Sequence, residues 1–265
     1  MVSNYLLANE VEIDRLERQA ALIGHDRVLD HVQLPAGTTM LDAGSGSGWA
    51  SRLVAGANPG VAVTGIDVTP DFVSYATRRC RDEGLTNLDH LVGDIADLPF
   101  EDGSFDLVRS QLVLFFLPEP ERAVSEFARV ARPGGQVTIA VTDCPFQWIS
   151  PERPALSAGI AAFRDAAIHG WRTPRLPGMM RASGLEDVRV EIVSDRVHTF
   201  IGRAGTDQRR NIEESYGLGL RALAEAVGGP EAAERLLAEL LDFVDDEDSS
   251  AFCTHWIVTA RKRAS

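Results

Sequence analysis

Glycine at every second position of Gly44-Ser45-Gly46-Ser47-Gly48 constrains this chain more than any other feature, because it demands a tight turn. Thr38-Thr39-Met40-Leu41 before it reads as a short buried strand, and Trp49-Ala50-Ser51-Arg52-Leu53-Val54 after it as the start of a helix. Glycine there takes positive φ and lets a ligand lie against the main chain where a Cβ would stand. The spacing is G-x-G-x-G, neither the G-x-G-x-x-G of dinucleotide enzymes nor the G-x-x-x-x-G-K-[ST] of phosphate loops. No lysine follows, which disfavours a triphosphate. The next strand, residues 61–66, ends at Asp67, 23 positions after Gly44. An acid about 20 residues beyond a glycine turn can accept both hydroxyls of a ribose. Together they indicate a nucleoside-containing ligand.

Strand and helix patterns alternate from Met40 onward, which predicts an α/β doubly wound sheet. Thr69-Pro70 supplies a helix N-cap followed by proline at the first helical position, and Gly84 ends that helix. Residues 90–92 and 105–110 read as the third and fourth strands. Pro120 opens a helix with Ala123, Val124, Phe127 and Val130 on one face, and Pro133-Gly134-Gly135 turns the chain into a fifth strand over 136–142. Ahead of the sheet, Ile13, Leu16, Ala20 and Ile23 form a helical stripe, so residues 1–35 read as a helical arm. Residues 143–175, with Pro145, Pro151, Pro154, Trp148 and Trp171, break the alternation and read as an irregular cover. A short helix over 176–183 and a sixth strand over 188–193 come next; residues 200–244 are mainly helical, and 252–260 form the last strand. Asp245-Asp246-Glu247-Asp248 lacks the glycine of a calcium loop and reads as a solvated turn.

Length permits a single domain over residues 1–265, with 45% hydrophobic residues to fill its core. The net charge of −13, without any Lys/Arg block, argues against nucleic acid or an anionic membrane surface as partner. With no signal-peptide pattern and no long apolar run, a soluble cytoplasmic protein is expected. Cys80, Cys144 and Cys253 are odd in number and widely spaced, fitting neither a disulfide framework nor a zinc site, and no metal is expected.

Several further segments follow in a set order: Gly65-Ile66-Asp67, Gly93-Asp94-Ile95-Ala96-Asp97-Leu98-Pro99-Phe100, Ser104-Phe105-Asp106-Leu107-Val108 and Arg129-Val130-Ala131-Arg132-Pro133-Gly134-Gly135. With the glycine turn, this succession over residues 36–142 resembles the class I S-adenosylmethionine-dependent methyltransferases, specifically their small-molecule, natural-product branch. The resemblance implies a Rossmann-like seven-stranded sheet with an antiparallel last strand. It implies S-adenosylmethionine bound by Asp42, Ala43, Gly44, Ser45 and Gly46 along its methionine portion. Asp67 would hold the ribose, and Val68 would pack on the adenine. Asp94 and the Ile95 amide would bind the adenine edge, with Ser110 or Gln111 at the sulfonium. Asp42 has the equal alternative of anchoring the turn's own amides. Tyr5 and Gln19, in an arm that resembles the leading helix of such enzymes, would close over the methionine end. That arm could cover its own pocket or a neighbour's, the latter giving a homo-oligomer.

Methyl transfer from a sulfonium is an in-line displacement with a good leaving group, so alignment alone can supply about 7–11 kcal/mol. A general base is needed only for an acceptor that holds its proton, as a phenol does. Asp143, His169, His198 and His255 lie in or beside the inserted regions 143–175 and 200–245 and are the candidates, each against the plainer reading of a surface or hydrogen-bonded side chain. Phe115, Phe116, Phe146, Trp148, Trp171, Phe200 and Tyr216 concentrate where these insertions would form a lid, which suits a small apolar or aromatic acceptor. Two rival readings use the same scaffold: a cyclase or pericyclase that retains the cofactor unconsumed, and a non-enzymatic binding protein.

Overall fold

The computed structural model describes residues 10–23, 33–143, 146, 148–167 and 173–264. Helix α1 (Glu10–Ile23) precedes β1 (Thr39–Ala43), α2 (Trp49–Ala57), β2 (Ala62–Asp67), α3 (Pro70–Asp82), β3 (Leu88–Val92), β4 (Phe105–Gln111), α4 (Pro120–Val130) and β5 (Ala131–Thr142). Beyond β5 come β6 (Trp148–Ser150), α5 (Pro154–Ala167), α6 (Leu176–Ala182), β7 (Leu185–Ser194) and β8 (Phe200–Ile201). The chain closes with α7 (Thr206–Ala222), α8 (Pro230–Asp245), β9 (Ser250–Phe252) and β10 (Thr254–Lys262).

Seven strands form one sheet in the order β3-β2-β1-β4-β5-β10-β7. Strands β1 to β5 run parallel, and β10 lies antiparallel between β5 and β7, as the resemblance implied. The strand order reverses between β1 and β4, the place where open α/β sheets bind ligands. Helices α4 and α6 cover one face, with Val124, Phe127, Ile139, Val141 and Met180 fully buried beneath them. Helices α2 and α3 cover the other, over Met40, Val54, Val63 and Leu88. The stripe foreseen on α4 is the buried one, since Ala123, Val124, Phe127 and Val130 are all at zero exposure. Among the described residues no helix is long and apolar enough to cross a membrane.

A second apolar cluster belongs to α5, α7, α8 and a small sheet ordered β6-β9-β8, with Phe146, Leu156, Ile212, Leu240 and Phe243 at its centre. Its connections leave the main sheet at one edge: after Thr142 of β5, after Ser194 of β7, and at Thr254, where β10 begins. This cap therefore stands over the same end of the sheet as the glycine turn.

Several boundaries differ from the sequence reading. Residues 154–167 form a helix of 14 residues where an irregular cover was expected. The prolines that suggested irregularity stand at or before its first position, where no amide is needed. Strand β5 starts at Ala131, and the Arg132-Pro133-Gly134-Gly135 turn loops out of it as a bulge: pairing steps from Phe105↔Ala131 to Leu107↔Gln136. The small sheet went unforeseen because strands of two or three residues carry no periodicity. The acidic run is a turn only in part. Asp245 accepts from Arg209 and Asp246 from Arg153, so it ties α8 to α7 and to the start of α5. Trp148 is 67% exposed and faces away from the cap's core.

One ion pair inside the sheet positions the turn. Asp42 and Arg109 are directly paired across β1 and β4, both under 4% exposed, with Arg109 Nη1 donating to Asp42 Oδ1 at 2.9 Å. Removing one partner of a buried pair strands the other charge, at a cost of about 3–5 kcal/mol. Arg109→Leu should therefore lower stability by that amount in urea titrations, and Asp42→Asn added to it should recover a large part; an unchanged midpoint in the single variant would contradict this role.

Candidate active site

Three glycines of the turn have left-handed φ: +78° at Gly44, +54° at Gly46 and +73° at Gly48. Space forbids side chains as well. A Cβ on Gly44 would stand 2.5 Å from Val113 Cγ2, and one on Gly48 2.7 Å from Ala76 Cβ. The turn is bound to the end of β2: Gly44 and Ser45 amides both donate to the Ile66 carbonyl, at 2.8 and 2.9 Å. The Gly46 amide donates to Asp67 Oδ2 at 2.9 Å, and the Thr69 amide to Asp67 Oδ1, also at 2.9 Å. Burial raises the Asp67 pKa, with the two amides pulling the other way. A half-buried carboxylate so held presents its remaining lone pairs above the switch point, where a vicinal diol can donate to them.

The other sequence-derived positions fall along the same edge. Val68 is half-buried beside Asp67. Asp94 is exposed after β3 and accepts from the Ala96 amide at 2.8 Å, while Ile95 is buried in the core. Ala43 is fully buried as the last residue of β1. Asp42 does not hold the turn's amides, which go to Ile66 and Asp67: its second oxygen accepts from Ser51 Oγ at 2.6 Å, so both its oxygens are engaged by side chains of neighbouring elements. At the end of β4, Gln111 accepts from Arg109 through Oε1. Ser45 Oγ, Ser110 Oγ, Gln111 Nε2 and Arg109 Nε are buried and make no hydrogen bond. Buried polar atoms in that state cost about 1–3 kcal/mol each unless a ligand or water meets them.

The arm lies on this turn. Leu16 Cδ1 would be 3.7 Å from a Cβ on Gly46, and Glu17 receives two hydrogen bonds from Arg52, whose Nη1 donates to the Ser47 carbonyl at 2.7 Å. Gln19 is held by Arg15 at 2.5 Å, within a buried pair in which Arg15 donates twice to Glu12. Arg15 and Arg18 also bind Asn211 and Glu214 of α7, so α1 covers its own chain's turn and braces the cap. Tyr5 lies outside the described residues.

A second cluster gathers where β5, β7 and β10 meet the cap. Asp195 accepts from Thr142 Oγ1 and, through Oδ1, from the amides of Val197 at 2.7 Å and His198 at 3.1 Å. His198 Nδ1 lies 3.4 Å from Asp195 Oδ2, and its ring meets those of Phe146 and Tyr216 edge-on. Burial opposes the Asp195 charge, but His198, Thr142 and His255 outweigh it and hold the carboxyl well below the usual range. His255, on β10, is 3% exposed with no partner for Nε2, and burial lowers its pKa. Asp195, His198 and Cys253 each offer a ligand-type atom within 4.8 Å of the others. Each of those atoms is already hydrogen-bonded, Cys253 Sγ donating to the Asp143 carbonyl at 3.5 Å. Asp143 sits at the sheet edge beside this cluster, its amide bonded to the Thr254 carbonyl. His169 lies outside the described residues.

Sequence reasoning missed Arg52, Arg109 and Asp195. Arg109 carried a usable signal, since a charge inside an apolar strand must find a partner. Asp195 also did, as an acid just past a strand and three residues before a histidine. Arg52 offered none; its partners come from three separate elements, Glu17, Ser47 and Glu83.

Comparison with known proteins matches residues 41–139 to the model of a methyltransferase domain. An uncharacterized protein of Mycobacterium tuberculosis is 27% identical over 86% of this chain and 82% of its own length. The arsenite methyltransferase of Halobacterium salinarum is 37% identical over 42% of this chain and 29% of its own. Among solved structures, the [4+2]-cyclase SpnF superposes with a TM-score of 0.59 at 23% identity, covering 95% of this chain and 81% of that one. Solved chains of this fold also include complexes with S-adenosylmethionine or S-adenosylhomocysteine.

Gly44→Ala tests the turn. A non-glycine residue at φ +78° meets strain of about 1–3 kcal/mol and also displaces Val113. Urea unfolding should show that loss, and Val113→Ala should restore only the steric part. A Gly44→Ala protein of full stability would show that the turn does not need glycine.

Proposed function

This chain carries the cofactor domain of the class I S-adenosylmethionine-dependent methyltransferases, and from that premise we propose that it methylates an O, N or C atom of a small, largely apolar or aromatic metabolite, as a cytoplasmic step of secondary metabolism. It is an S-adenosylmethionine-dependent methyltransferase, and S-adenosylmethionine is its cofactor. The observation that carries the reading is Asp67, at the end of β2 and tied to the Gly46 amide of the turn that follows β1, one strand from the point where the strand order reverses. The donor set suits the ligand: backbone without side chains for the methionine portion, a carboxylate for the ribose, and orphaned buried Ser45 and Ser110 hydroxyls beside them.

When bound, the cofactor supplies an electrophilic methyl group whose sulfur leaves readily. The protein's part is to align and to exclude water. Gly44, Gly46 and Ser45 seat the methionine portion, Asp67 fixes the ribose, and Val68, Asp94 and Ile95 border the adenine. Leu16 and Gln19 of the arm close the turn from above. The cap, whose own core takes up Phe146, Phe200 and Tyr216, is the substrate lid. Holding acceptor and methyl group in line at near-attack distance supplies most of the acceleration.

Incubation with S-adenosylmethionine and a panel of phenols, enols, amines and carbon nucleophiles should release S-adenosylhomocysteine together with a methylated product. A second reading follows from the fold shared with a [4+2]-cyclase: the cofactor stays bound as an electrostatic element while the substrate rearranges. Product formed without S-adenosylhomocysteine would decide for it.

Asp67→Ala should weaken cofactor binding more than tenfold, since two charge-assisted hydrogen bonds are worth roughly 2–4 kcal/mol together. Calorimetry finding an unchanged dissociation constant would remove Asp67 from the site. The hydroxyls donate to the ionised carboxyl, whose pKa burial raises. Cofactor affinity should therefore hold at neutral pH and fall on acidification, beginning above the ordinary carboxylate pKa of 3.8; in Asp67→Ala that pH dependence should vanish.

A further inference from the structure

We propose that Asp195 and His198 form the acid–base pair of the methyl transfer, and that the acceptor is a hydroxyl which must shed a proton, a phenol or an enol, on a flat apolar body. The inference rests on the methyl-transfer reading above.

Geometry comes first. Asp195 Oδ2 faces His198 Nδ1 at 3.4 Å, while the other oxygen is fixed by the Val197 and His198 amides. A carboxylate on one ring nitrogen sets the tautomer, with the proton on Nδ1 and a basic lone pair left on Nε2. Bonds of this kind are often long before the substrate arrives. The rings of Phe146, 5.6 Å from the imidazole centroid, and Tyr216, at 6.3 Å, pack edge-on against His198 and give the pair an apolar surrounding.

Placement comes second. Thr142, which donates to Asp195, ends β5, and β5 lies beside β4, whose end the methyl-transfer reading assigns to the sulfonium side. Strands are spaced about 5 Å apart, so Thr142, on β5, stands roughly two spacings from the glycine-turn strand β1, and the pair lies beyond Thr142 on the side of β10 and β7.

His255 Nε2, on the strand next to Thr142, is buried beside Asp195 and has no partner, and Gln111 Nε2 on the β4 end is in the same state. Both atoms await a polar group that the described residues do not supply, and the oxygen of an acceptor is such a group.

His198 Nε2 takes the hydroxyl proton. An oxygen lone pair forms the new C–O bond to the methyl carbon as the C–S bond breaks, its electron pair remaining on sulfur. The positive charge passes from the sulfonium to the imidazolium, where Asp195 stabilises it until the proton leaves to solvent. Asp195 acts through the histidine and is the positioning residue.

Two measurements on the full chain test the pair. Long-range proton–nitrogen spectra of histidine-labelled protein should show His198 protonated on Nδ1 at neutral pH, and Asp195→Asn should lose that tautomer while its circular dichroism stays native. With 4-methoxyphenol or any other neutral phenol that the panel shows to be methylated, His198→Gln should lower kcat at least a hundredfold with KM little changed. The loss should be much smaller on a nitrophenol already ionised at mildly alkaline pH. A His198 protonated on Nε2, full phenol turnover by His198→Gln, stoichiometric zinc held by the isolated protein at this cluster, or methylation confined to tertiary amines and thioethers would each overturn the proposal. If the wild type methylates nothing in the panel, the methyl-transfer reading falls and this assignment with it; the spectrum distinguishes that failure from a pair that is wrongly assigned.

Discussion

The turn between β1 and α2 keeps its shape because three of its amides are spent on the end of β2: two on the Ile66 carbonyl and one on Asp67. Those bonds hold a loop of left-handed glycines open against the sheet and aim the Asp67 carboxylate at the same time. A main chain free of side chains and an acid beside it, next to a reversal of strand order, are the elements with which open α/β sheets hold a nucleoside. Val113, from the loop after β4, closes the floor of the turn, so the site depends on strands from both halves of the sheet.

Buried charge serves the same edge. Asp42 and Arg109 lock β1 to β4 directly beneath the turn. Arg52 joins the Ser47 carbonyl to Glu17 of the arm and Glu83 past α3, so arm, turn and helix share one guanidinium. Asp195 does likewise for the cap, drawing Thr142, Val197 and His198 together. Each of these charges is expensive to bury alone and tolerable only with its partners in place. The polar edge of the sheet is consequently more sharply specified than its apolar body, where volume and pattern suffice.

Much of this could be read before any coordinates. The glycine spacing, Asp67 and the alternation through Thr142 marked the cofactor half, because each is a local signal: a φ requirement, a strand end, a period of two or of 3.6 residues. The second half was read less well. Helix α5 hid behind prolines that in fact introduce it, the bulge in β5 looked like a plain turn, and the small sheet has strands too short to show alternation. His198 and His255 were visible as candidates, but as isolated residues; Asp195, an acid past a strand end and three residues before His198, was passed over, and its relation to Thr142 and His255 needed β5, β7 and β10 side by side.

Taken alone, then, the order of residues determined an α/β sheet with a left-handed glycine turn after its first strand, since backbone conformation and hydrophobic period are properties of neighbouring residues. Tertiary structure decided the rest: that Asp42 turns inward to Arg109, that the arm lies over its own chain's glycine turn, and that Asp195, His198 and His255 meet Thr142 under an aromatic cap. Those are contacts between residues tens or hundreds of positions apart. No local rule encodes them, because the free energy of a buried charge or an orphaned imidazole depends on which strand ends beside it.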